Sequence, residues 1–287
     1  MIEIKDLTFT YDTQQSPALE NLNLSIQPGE YVAIIGPNGG GKTTLIRQLN
    51  ALLTPTHGEV WIDGLNTGNV KNRKEIRRLV GMIFQNPDNQ IVGMTVEEDV
   101  AFGPGNLGLP SGEIRRRVEN SLAAVGLAEL GKRMPHTLSG GQKQRLALAG
   151  LLAMDPKIIV LDEPTAALDT SGQTEVFRQI EHLHQQGMTI IFVTQDMEEA
   201  ARADRVLVLH QGQLVADDSP AQVLTGVEWL QSLGLAPPRL VQLMHRLRES
   251  GFDIDTDVFD VERACQQIGT LASGQQSMLT DRKSREV

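Results

Sequence analysis

Hydrophobic and polar residues follow changing periodicities along the chain, and these predict its fold class. In the first thirty residues apolar positions alternate with polar ones, as at Ile2 and Ile4 and at Leu22 and Leu24, which is typical of antiparallel strands with one buried face. Short runs that are almost entirely apolar predict buried parallel strands. These runs span 31–35, 80–84, 158–161, 189–193 and 206–209. Helical spacing separates most of them, so the pattern predicts an α/β fold with a mostly parallel sheet and an N-terminal antiparallel β layer.

Apolar residues at helical spacing predict the helices around this sheet. The first predicted helix spans 44–53 and is ended by Pro55. Its apolar stripe consists of Leu45, Leu49, Leu52 and Leu53. Residues 88–154 contain no strand-like run and predict a helical insert, in which Thr95 and Glu98 have the spacing of a capping box.

The pattern changes after Gly212, where a smaller helical domain is expected. Amphipathic spacing predicts helices over 220–235 and 238–248. The apolar stripe of the second helix consists of Leu240, Leu243, Met244 and Leu247. Residues 273–287 are polar and charged, which is typical of a disordered tail. We therefore expect three regions: a large domain over 1–218, a small C-terminal helical domain over 219–271 and a disordered tail over 272–287.

Composition and charge narrow the class of protein. The chain has 287 residues, of which 40% are hydrophobic, as in a globular protein with a sizeable core. It contains no uninterrupted apolar run long enough for a membrane span, and its first residues lack the basic and apolar segments of a secretory signal. The formal net charge of −10 disfavours nonspecific binding to nucleic acid, so no nucleic-acid partner is expected.

A glycine-rich segment between the first all-apolar run and the first predicted helix matches the phosphate-binding pattern G-x-x-x-x-G-K-[ST]. Its glycines let backbone N–H groups turn inward around phosphates, next to the favourable dipole of a helix N-terminus. Lys42 is expected to reach the β- and γ-phosphates of ATP, and the Thr43 hydroxyl is expected to bind Mg²⁺. The candidate nucleotide-binding residues of this loop are Gly36, Pro37, Asn38, Gly39, Gly40, Gly41, Lys42, Thr43 and Thr44.

Polar side chains stand at the ends of two other predicted strands. Asp162 ends an apolar run, where a buried carboxylate needs a cation, and we expect Mg²⁺, bound through water, to supply it. Glu163 follows directly and is expected to orient or deprotonate the water that attacks ATP. Gln85, at the end of another run, can offer its amide oxygen to the metal or to that water. The pattern therefore predicts ATP hydrolysis, with Lys42 and Glu163 as catalytic residues.

The segment 138–142 reads LSGGQ and precedes the acidic pair by one predicted helix. Ser139 and Gln142 again have capping-box spacing, so Ser139 is expected to cap that helix. In this order, the phosphate loop, LSGGQ and the acidic pair resemble the ATP-binding cassette (ABC) ATPases over roughly residues 1–218. The resemblance implies a P-loop NTPase core.

The resemblance also implies roles for other residues. Tyr11 matches the aromatic residue that stacks on adenine, Gln85 matches the Q-loop glutamine, and 167–169 match the D-loop. In this family ATP lies between the phosphate loop of one chain and LSGGQ of another, so a second ABC ATPase subunit is an expected partner. The residues expected to contact the partner's nucleotide are Ser139, Gly140, Gly141, Gln142 and Asp169.

Gln195 departs from the family pattern, in which this position usually holds histidine. An amide can donate a hydrogen bond to the γ-phosphate, but it cannot carry a proton or a positive charge. Gln195 is still expected to be catalytic, and two interpretations stay open. Either the site, which keeps Glu163, hydrolyses slowly or with altered dependence on its partner, or the chain pairs with a different ATPase chain that has the better site. A further alternative is a nucleotide-gated structural partner with little hydrolysis of its own. Gly40, where serine is common, is a milder departure.

The segment 84–110 closely resembles the ATPases of energy-coupling factor (ECF) transporters and the related cobalt-uptake ATPases. The resemblance implies that Pro87, Asp88 and Gln90 form a short helix in the groove that receives a transmembrane subunit. It also implies that the C-terminal helices help to hold two ATPases together. Gly105 stands where this family often has glutamate, so one polar contact near the groove is in doubt.

The expected function is therefore that of an ATP-hydrolysing subunit of an ECF-type importer for a vitamin or a transition-metal ion. The expected partners are a second ABC ATPase, identical or paralogous, a transmembrane coupling subunit and a substrate-binding membrane subunit. The expected location is peripheral, on the cytoplasmic face of a prokaryotic cell membrane. A soluble ABC protein that acts on ribosomes or DNA is disfavoured by the single cassette and the negative charge.

Overall fold

The computed structural model describes residues 1–13 and 15–270. The strands are β1 (Ile2–Phe9), β2 (Leu19–Ile26), β3 (Tyr31–Ile35), β4 (His57–Ile62), β5 (Leu65–Asn66), β6 (Val80–Ile83), β7 (Ile158–Asp162), β8 (Thr189–Val193), β9 (Arg205–His210) and β10 (Gln213–Asp218). The α-helices are α1 (Lys42–Leu49), α2 (Arg73–Leu79), α3 (Val96–Asn106), α4 (Ser111–Ala124), α5 (Gly140–Ala153), α6 (Thr170–Gln185), α7 (Met197–Ala200), α8 (Pro220–Leu224), α9 (Val227–Ser232), α10 (Arg239–Glu249) and α11 (261–270). In this part of the chain, no helix combines the length and the apolar character needed to cross a bilayer.

The central sheet has six strands in the order β10-β9-β3-β8-β7-β6. All of its neighbouring pairs are parallel except β10 with β9. The five predicted parallel strands are all present, with ends within one residue of the prediction, so the α/β fold is confirmed. Because these strands run in one direction, the loops that follow β3, β6, β7 and β8 meet at one edge of the sheet. That edge carries the predicted catalytic residues.

An antiparallel sheet in the order β2-β1-β4-β5 packs against one face of the central sheet. Its inward side chains form one buried cluster with α1 and with the facing residues of β3, β7, β8 and β9. The opposite face of the central sheet is covered by the helical insert and by α6. The N-terminal antiparallel layer is therefore confirmed. The sequence pattern missed β4, β5 and β10, in which most residues are not buried and apolar alternation is short.

The first helix is shorter than predicted, so its predicted end at residue 53 is wrong. Ala51 adopts a left-handed φ of 53°, which cannot continue an α-helix. The Asn50 side chain stabilises this turn by accepting a hydrogen bond from the backbone N–H of Leu52 at 3.2 Å. Leu52 is consequently 43% exposed and does not belong to the buried stripe.

The helical insert follows the prediction closely. It consists of α3, α4 and α5, which pack on one another and bury their apolar faces against the central sheet. Thr95 and Glu98 form the predicted capping box at the start of α3. The N–H of Thr95 donates to the Glu98 carboxylate at 3.1 Å, and the N–H of Glu98 donates to the Thr95 hydroxyl at 3.3 Å.

The C-terminal helices differ from the prediction in two respects. The predicted helix over 220–235 is interrupted, because Gly226 adopts a non-helical conformation between α8 and α9. In α10, Met244 is fully buried as predicted, but Leu243 is 43% exposed and Val241 is buried in its place. The buried side of α10 therefore includes Val241 in place of Leu243, while Leu240 and Leu247 pack beside Met244 as predicted.

Buried residues in the C-terminal region fall into two groups. Leu224 and Leu230 join the large core of the central sheet. Met244 instead packs with Ile254, Val258 and Ala264 in a small separate cluster. The division into domains at residue 218 stays a prediction, and the predicted tail over 272–287 lies outside the described residues.

Candidate nucleotide site

The phosphate loop connects β3 to α1 and is held by very close backbone packing. Gly36 has a φ of 150°, and a Cβ atom placed there would lie only 2.1 Å from the carbonyl oxygen of Leu209 on β9. Glycine is therefore required at this position, because no side chain fits between the loop and β9. The same packing fixes the loop at the carboxyl edge of the sheet, directly before the N-terminus of α1.

Lys42 is the first residue of α1 and is 6% exposed. Its Nζ donates to the carbonyl oxygens of Gly36 at 2.7 Å and Pro37 at 2.9 Å, so the ammonium group lies across the loop. Burial lowers the pKa of Lys42, and the negative charges of Glu163 and Asp162 act in the opposite direction. The ammonium group is thus positioned where phosphate oxygens can replace the two carbonyls.

Thr43 and Asp162 meet at the junction of α1 and β7. The Thr43 hydroxyl donates to the Asp162 carboxylate, with distances of 3.2 Å and 3.4 Å to its two oxygens. Burial raises the pKa of Asp162, the Thr43 hydrogen bond lowers it, and the charge of Glu163 raises it further. Hydroxyl and carboxylate oxygens are the ligands that Mg²⁺ prefers, and a cation would offset the cost of the buried charge. These residues therefore fit the predicted metal.

Glu163 follows β7 and adopts a left-handed φ of 48°. Two amides hold its carboxylate. Nε2 of Gln85 donates to one oxygen at 2.7 Å, and Nε2 of Gln195 donates to the other at 2.5 Å. The structure thus brings together three predicted residues from the ends of three parallel strands. Gln85 reaches the site through its amide nitrogen in this arrangement, whereas the sequence suggested its oxygen.

A cavity of about 810 Å³, large enough for a nucleotide, is lined by Gln85, Glu163 and Gln195 together with residues 38–44 of the phosphate loop and the start of α1. Tyr11 forms part of its wall, where its hydroxyl lies 3.1 Å from the Thr44 hydroxyl and its ring packs edge-on against Phe9 at 4.8 Å between centroids. The predicted contact of Tyr11 with adenine stays a prediction. Residues 15–18 also line the cavity, and the sequence pattern did not indicate them.

The LSGGQ segment lies elsewhere. Ser139 caps α5 as predicted, because its hydroxyl accepts from the N–H of Gln142 at 3.3 Å and the Gln142 side chain accepts from the N–H of Ser139 at 2.9 Å. Asp169 caps α6 by accepting from the N–H of Gly172 at 2.8 Å. Both helix starts line a second cavity of about 660 Å³. Among the described residues, none lines both this cavity and the nucleotide cavity.

The predicted short helix beside Gln85 is present as a 3₁₀ turn, Pro87–Asn89. Asp88 forms an ion pair with Lys143 of α5 at 2.7 Å. Gln90 holds the end of β6, since its side chain accepts from the N–H of Phe84 at 3.0 Å and donates to the carbonyl of Met82 at 3.1 Å. Gln90 thus positions the strand that carries Gln85.

A groove of about 320 Å³ runs between this turn and the helical insert. Its apolar rim is exposed: Val92 by 59%, Phe102 by 55% and the neighbouring Met94 by 83%. The sequence pattern missed the residue that shapes the rim, which is Asp99 of α3. Its buried carboxylate accepts from the N–H groups of Val92 at 2.7 Å and Gly93 at 2.8 Å.

Comparisons with known proteins agree with these features. The family model described as ABC transporter matches residues 19–166. The cobalt import ATP-binding protein CbiO of Syntrophus aciditrophicus is 50% identical over 95% of this chain and 98% of its own length. The ECF transporter ATP-binding protein EcfA1 of Clostridium perfringens is 47% identical over 91% of this chain and 95% of its own. The structure of cbiO1 from Clostridium perfringens, described as part of the transporter complex cbiONQ, has a TM-score of 0.75 and 36% identity, covering 86% of this chain and 98% of that one.

Proposed function

The chain belongs to the ABC transporter family, as an ATP-hydrolysing subunit of the energy-coupling factor type, and on this premise we propose that two such subunits close over ATP to drive an importer. The observation that carries the proposal is the separation of the two cavities. The phosphate loop, Tyr11 and Glu163 line one, whereas LSGGQ and Asp169 line the other. A helix N-terminus with two glycines suits phosphate oxygens, and a second subunit is the direct means of presenting it to the first subunit's nucleotide.

Within one cavity, the residues divide the work of hydrolysis. The loop N–H groups and Lys42 hold the triphosphate, with phosphate oxygens replacing the two carbonyls that Lys42 now contacts. Glu163 accepts a proton from water as the water oxygen bonds to the γ-phosphorus, and the bond to the bridging oxygen of ADP breaks. Gln85 and Gln195, which contact the Glu163 carboxylate, orient this base.

The residues that would hold Mg²⁺ are Thr43 and Asp162. Gln85, the third predicted ligand, donates a hydrogen bond to Glu163, the residue that follows Asp162. When bound, the ion would neutralise charge that develops on the phosphate oxygens. The amide of Gln195 contacts Glu163, which favours the interpretation that this site hydrolyses ATP itself. On the alternative interpretation, a paralogous ATPase subunit houses the better site.

The groove beside the Gln85 strand is the proposed docking surface for a transmembrane coupling subunit. Its exposed apolar rim suits an amphipathic helix, and Gln90 connects the groove to the strand end that carries Gln85. A separate membrane subunit would recognise the cargo. The relative named for cobalt import favours a transition-metal ion, and a vitamin is the alternative. The chain would then lie at the cytoplasmic face of the membrane as a peripheral subunit.

The shared nucleotide site can be tested by trapping the closed dimer. Glu163→Gln keeps the shape of the side chain but removes the base, so we expect kcat to fall at least about a hundredfold and the variant to form an ATP-dependent dimer in light scattering. Adding Ser139→Arg should keep ATP binding and abolish this dimer. Adding Ser111→Arg, at an exposed position at the start of α4 that lines neither cavity, should leave the dimer intact. An ATP-dependent dimer that survives Ser139→Arg contradicts the proposal.

The membrane partner can be tested separately in gentle detergent extracts. Phe102→Asp places a charge on the groove rim and should release the transmembrane partner while ATP binding persists. Val70→Asp is a matched control, since Val70 is also apolar and 67% exposed but lies outside the groove. Retention of the partner by Phe102→Asp, or its equal loss with Val70→Asp, counts against the groove as the docking surface.

A further inference from the structure

A buried carboxylate outside the predicted site connects two of its loops. Glu199 lies in α7 and is only 8% exposed. One of its oxygens accepts a hydrogen bond from the Thr165 hydroxyl, and the other accepts from the Thr194 hydroxyl at 2.5 Å. Both threonines are themselves buried, at 2% and 3% exposed. Neither the motifs nor the proposed mechanism accounts for this group.

The two threonines belong to the loops that carry the catalytic pair. Thr165 is two residues beyond Glu163, and its carbonyl accepts from the N–H of Leu168 at 2.9 Å, which forms the turn leading to Asp169. Thr194 directly precedes Gln195. Its N–H donates to the carbonyl of Ile34 at the end of β3, at 3.2 Å. One carboxylate thus fixes the loop after β7 relative to the loop after β8.

The chemistry of the contact requires a carboxylate. Each oxygen receives a hydroxyl proton, and the Thr194 hydroxyl already accepts from the N–H of Asp196 at 3.0 Å, so its own proton needs an acceptor. An amide at position 199 would offer one oxygen and one N–H₂ group, so at most one of the two threonine hydroxyls would keep an acceptor for its proton. Burial raises the pKa of Glu199, and the hydrogen bonds from Thr165 and Thr194 oppose that effect.

We propose that Glu199 is a positioning residue for hydrolysis, which sets the separation between the Glu163 loop and the Gln195 loop and thereby the orientation of the catalytic carboxylate. This inference rests on the proposed ATPase mechanism. Gln195 contacts Glu163 at 2.5 Å, so a displacement of either loop alters that contact directly. Glu199 itself lines neither the nucleotide cavity nor the LSGGQ cavity, so it acts on turnover rather than on nucleotide binding.

The test compares Glu199→Gln with the parent in the purified complex with its membrane partners. We expect kcat to fall between about tenfold and a hundredfold, as for a small displacement of a catalytic group, and KM and the Kd for ATP to stay within about twofold. Glu119→Gln, which removes an exposed carboxylate on α4, is the control and should match the parent. Unchanged kcat, or a rise in Kd in proportion to the loss of kcat, overturns the proposal.

Two further variants separate positioning from general packing. Thr194→Val and Glu199→Ala should each reduce kcat, and the double variant should be no worse than Glu199→Ala, because the alanine has already removed the contact with Thr194. Thr165→Val should lose turnover and Thr165→Ser should recover it, since only the hydroxyl is needed. Additive losses, or equal losses for the valine and serine variants, overturn the proposal. If Glu163→Gln also leaves kcat unchanged, the proposed function itself fails; if only Glu199→Gln does, the failure is confined to this inference.

Discussion

Replacing Gly36 by alanine tests how the fold holds the phosphate loop. A Cβ atom at this position would lie 2.1 Å from the Leu209 carbonyl oxygen, and the backbone φ of 150° is one that L-residues avoid. The backbone conformation alone should cost about 1–3 kcal/mol. A carbon and an oxygen normally stay more than 3 Å apart, so the loop or β9 must move by about 1 Å to relieve the clash. A displacement of this size in a catalytic group can lower the rate of ATP hydrolysis up to about a hundredfold.

Gly39→Ala is the matched control in the same loop. Its φ of 77° is also positive, but a Cβ atom there would meet nothing within 4 Å. We therefore expect Gly36→Ala to lower the free energy of unfolding without nucleotide by at least about 3 kcal/mol, and Gly39→Ala by about 1 kcal/mol. Urea unfolding followed by circular dichroism measures both. Equal losses for the two variants would refute the reasoning, because they would show that contact with Leu209 does not hold the loop.

Two other predictions concern stability. The hydrogen bond from Arg178 holds the pKa of Glu175 below its ordinary value, so the stabilisation is present above that value and is lost as pH falls through the folded-state pKa. Glu175→Gln should thus be less stable than the parent at pH 7, by under about 1 kcal/mol, and this deficit should shrink as the pH is lowered, as measured by urea unfolding at a series of pH values. A deficit that stays constant across the acidic range would contradict this. Gly105→Ala adds a methyl group in open space on α3 and should raise the free energy of unfolding by about 0.5–1 kcal/mol. Gly103→Ala should be stabilised less, because its Cβ would lie 2.7 Å from Cγ of Met154. Thermal unfolding of both variants measures this difference.

Most of the fold followed from periodicity, because buried parallel strands are nearly all apolar and amphipathic helices repeat every three to four residues. Errors arose where a local interaction overrides that pattern. Leu52 fits the spacing of α1, but the left-handed Ala51 ends the helix before it. Leu243 fits the stripe of α10 as well as Val241 does, and only the position of the packing neighbours decides between them.

The site was predictable to the extent that its residues follow strands or belong to motifs. Gln85, Glu163 and Gln195 come from distant segments, yet parallel strands bring their ends to one edge, so their meeting could be expected. Glu199 and Asp99 could not be found in this way. Each is a single acidic residue on a helix, like many solvated ones, and its role depends on burial and on tertiary partners that the sequence pattern does not specify.

The replacement of histidine by Gln195 has a consequence for how turnover responds to acidity. Among the described residues that line the nucleotide cavity, none is a histidine, so the side chain that most often changes charge between about pH 5 and 8 is missing from this lining. Any dependence of turnover on acidity near neutrality would then have to come from groups other than an imidazole in this cavity.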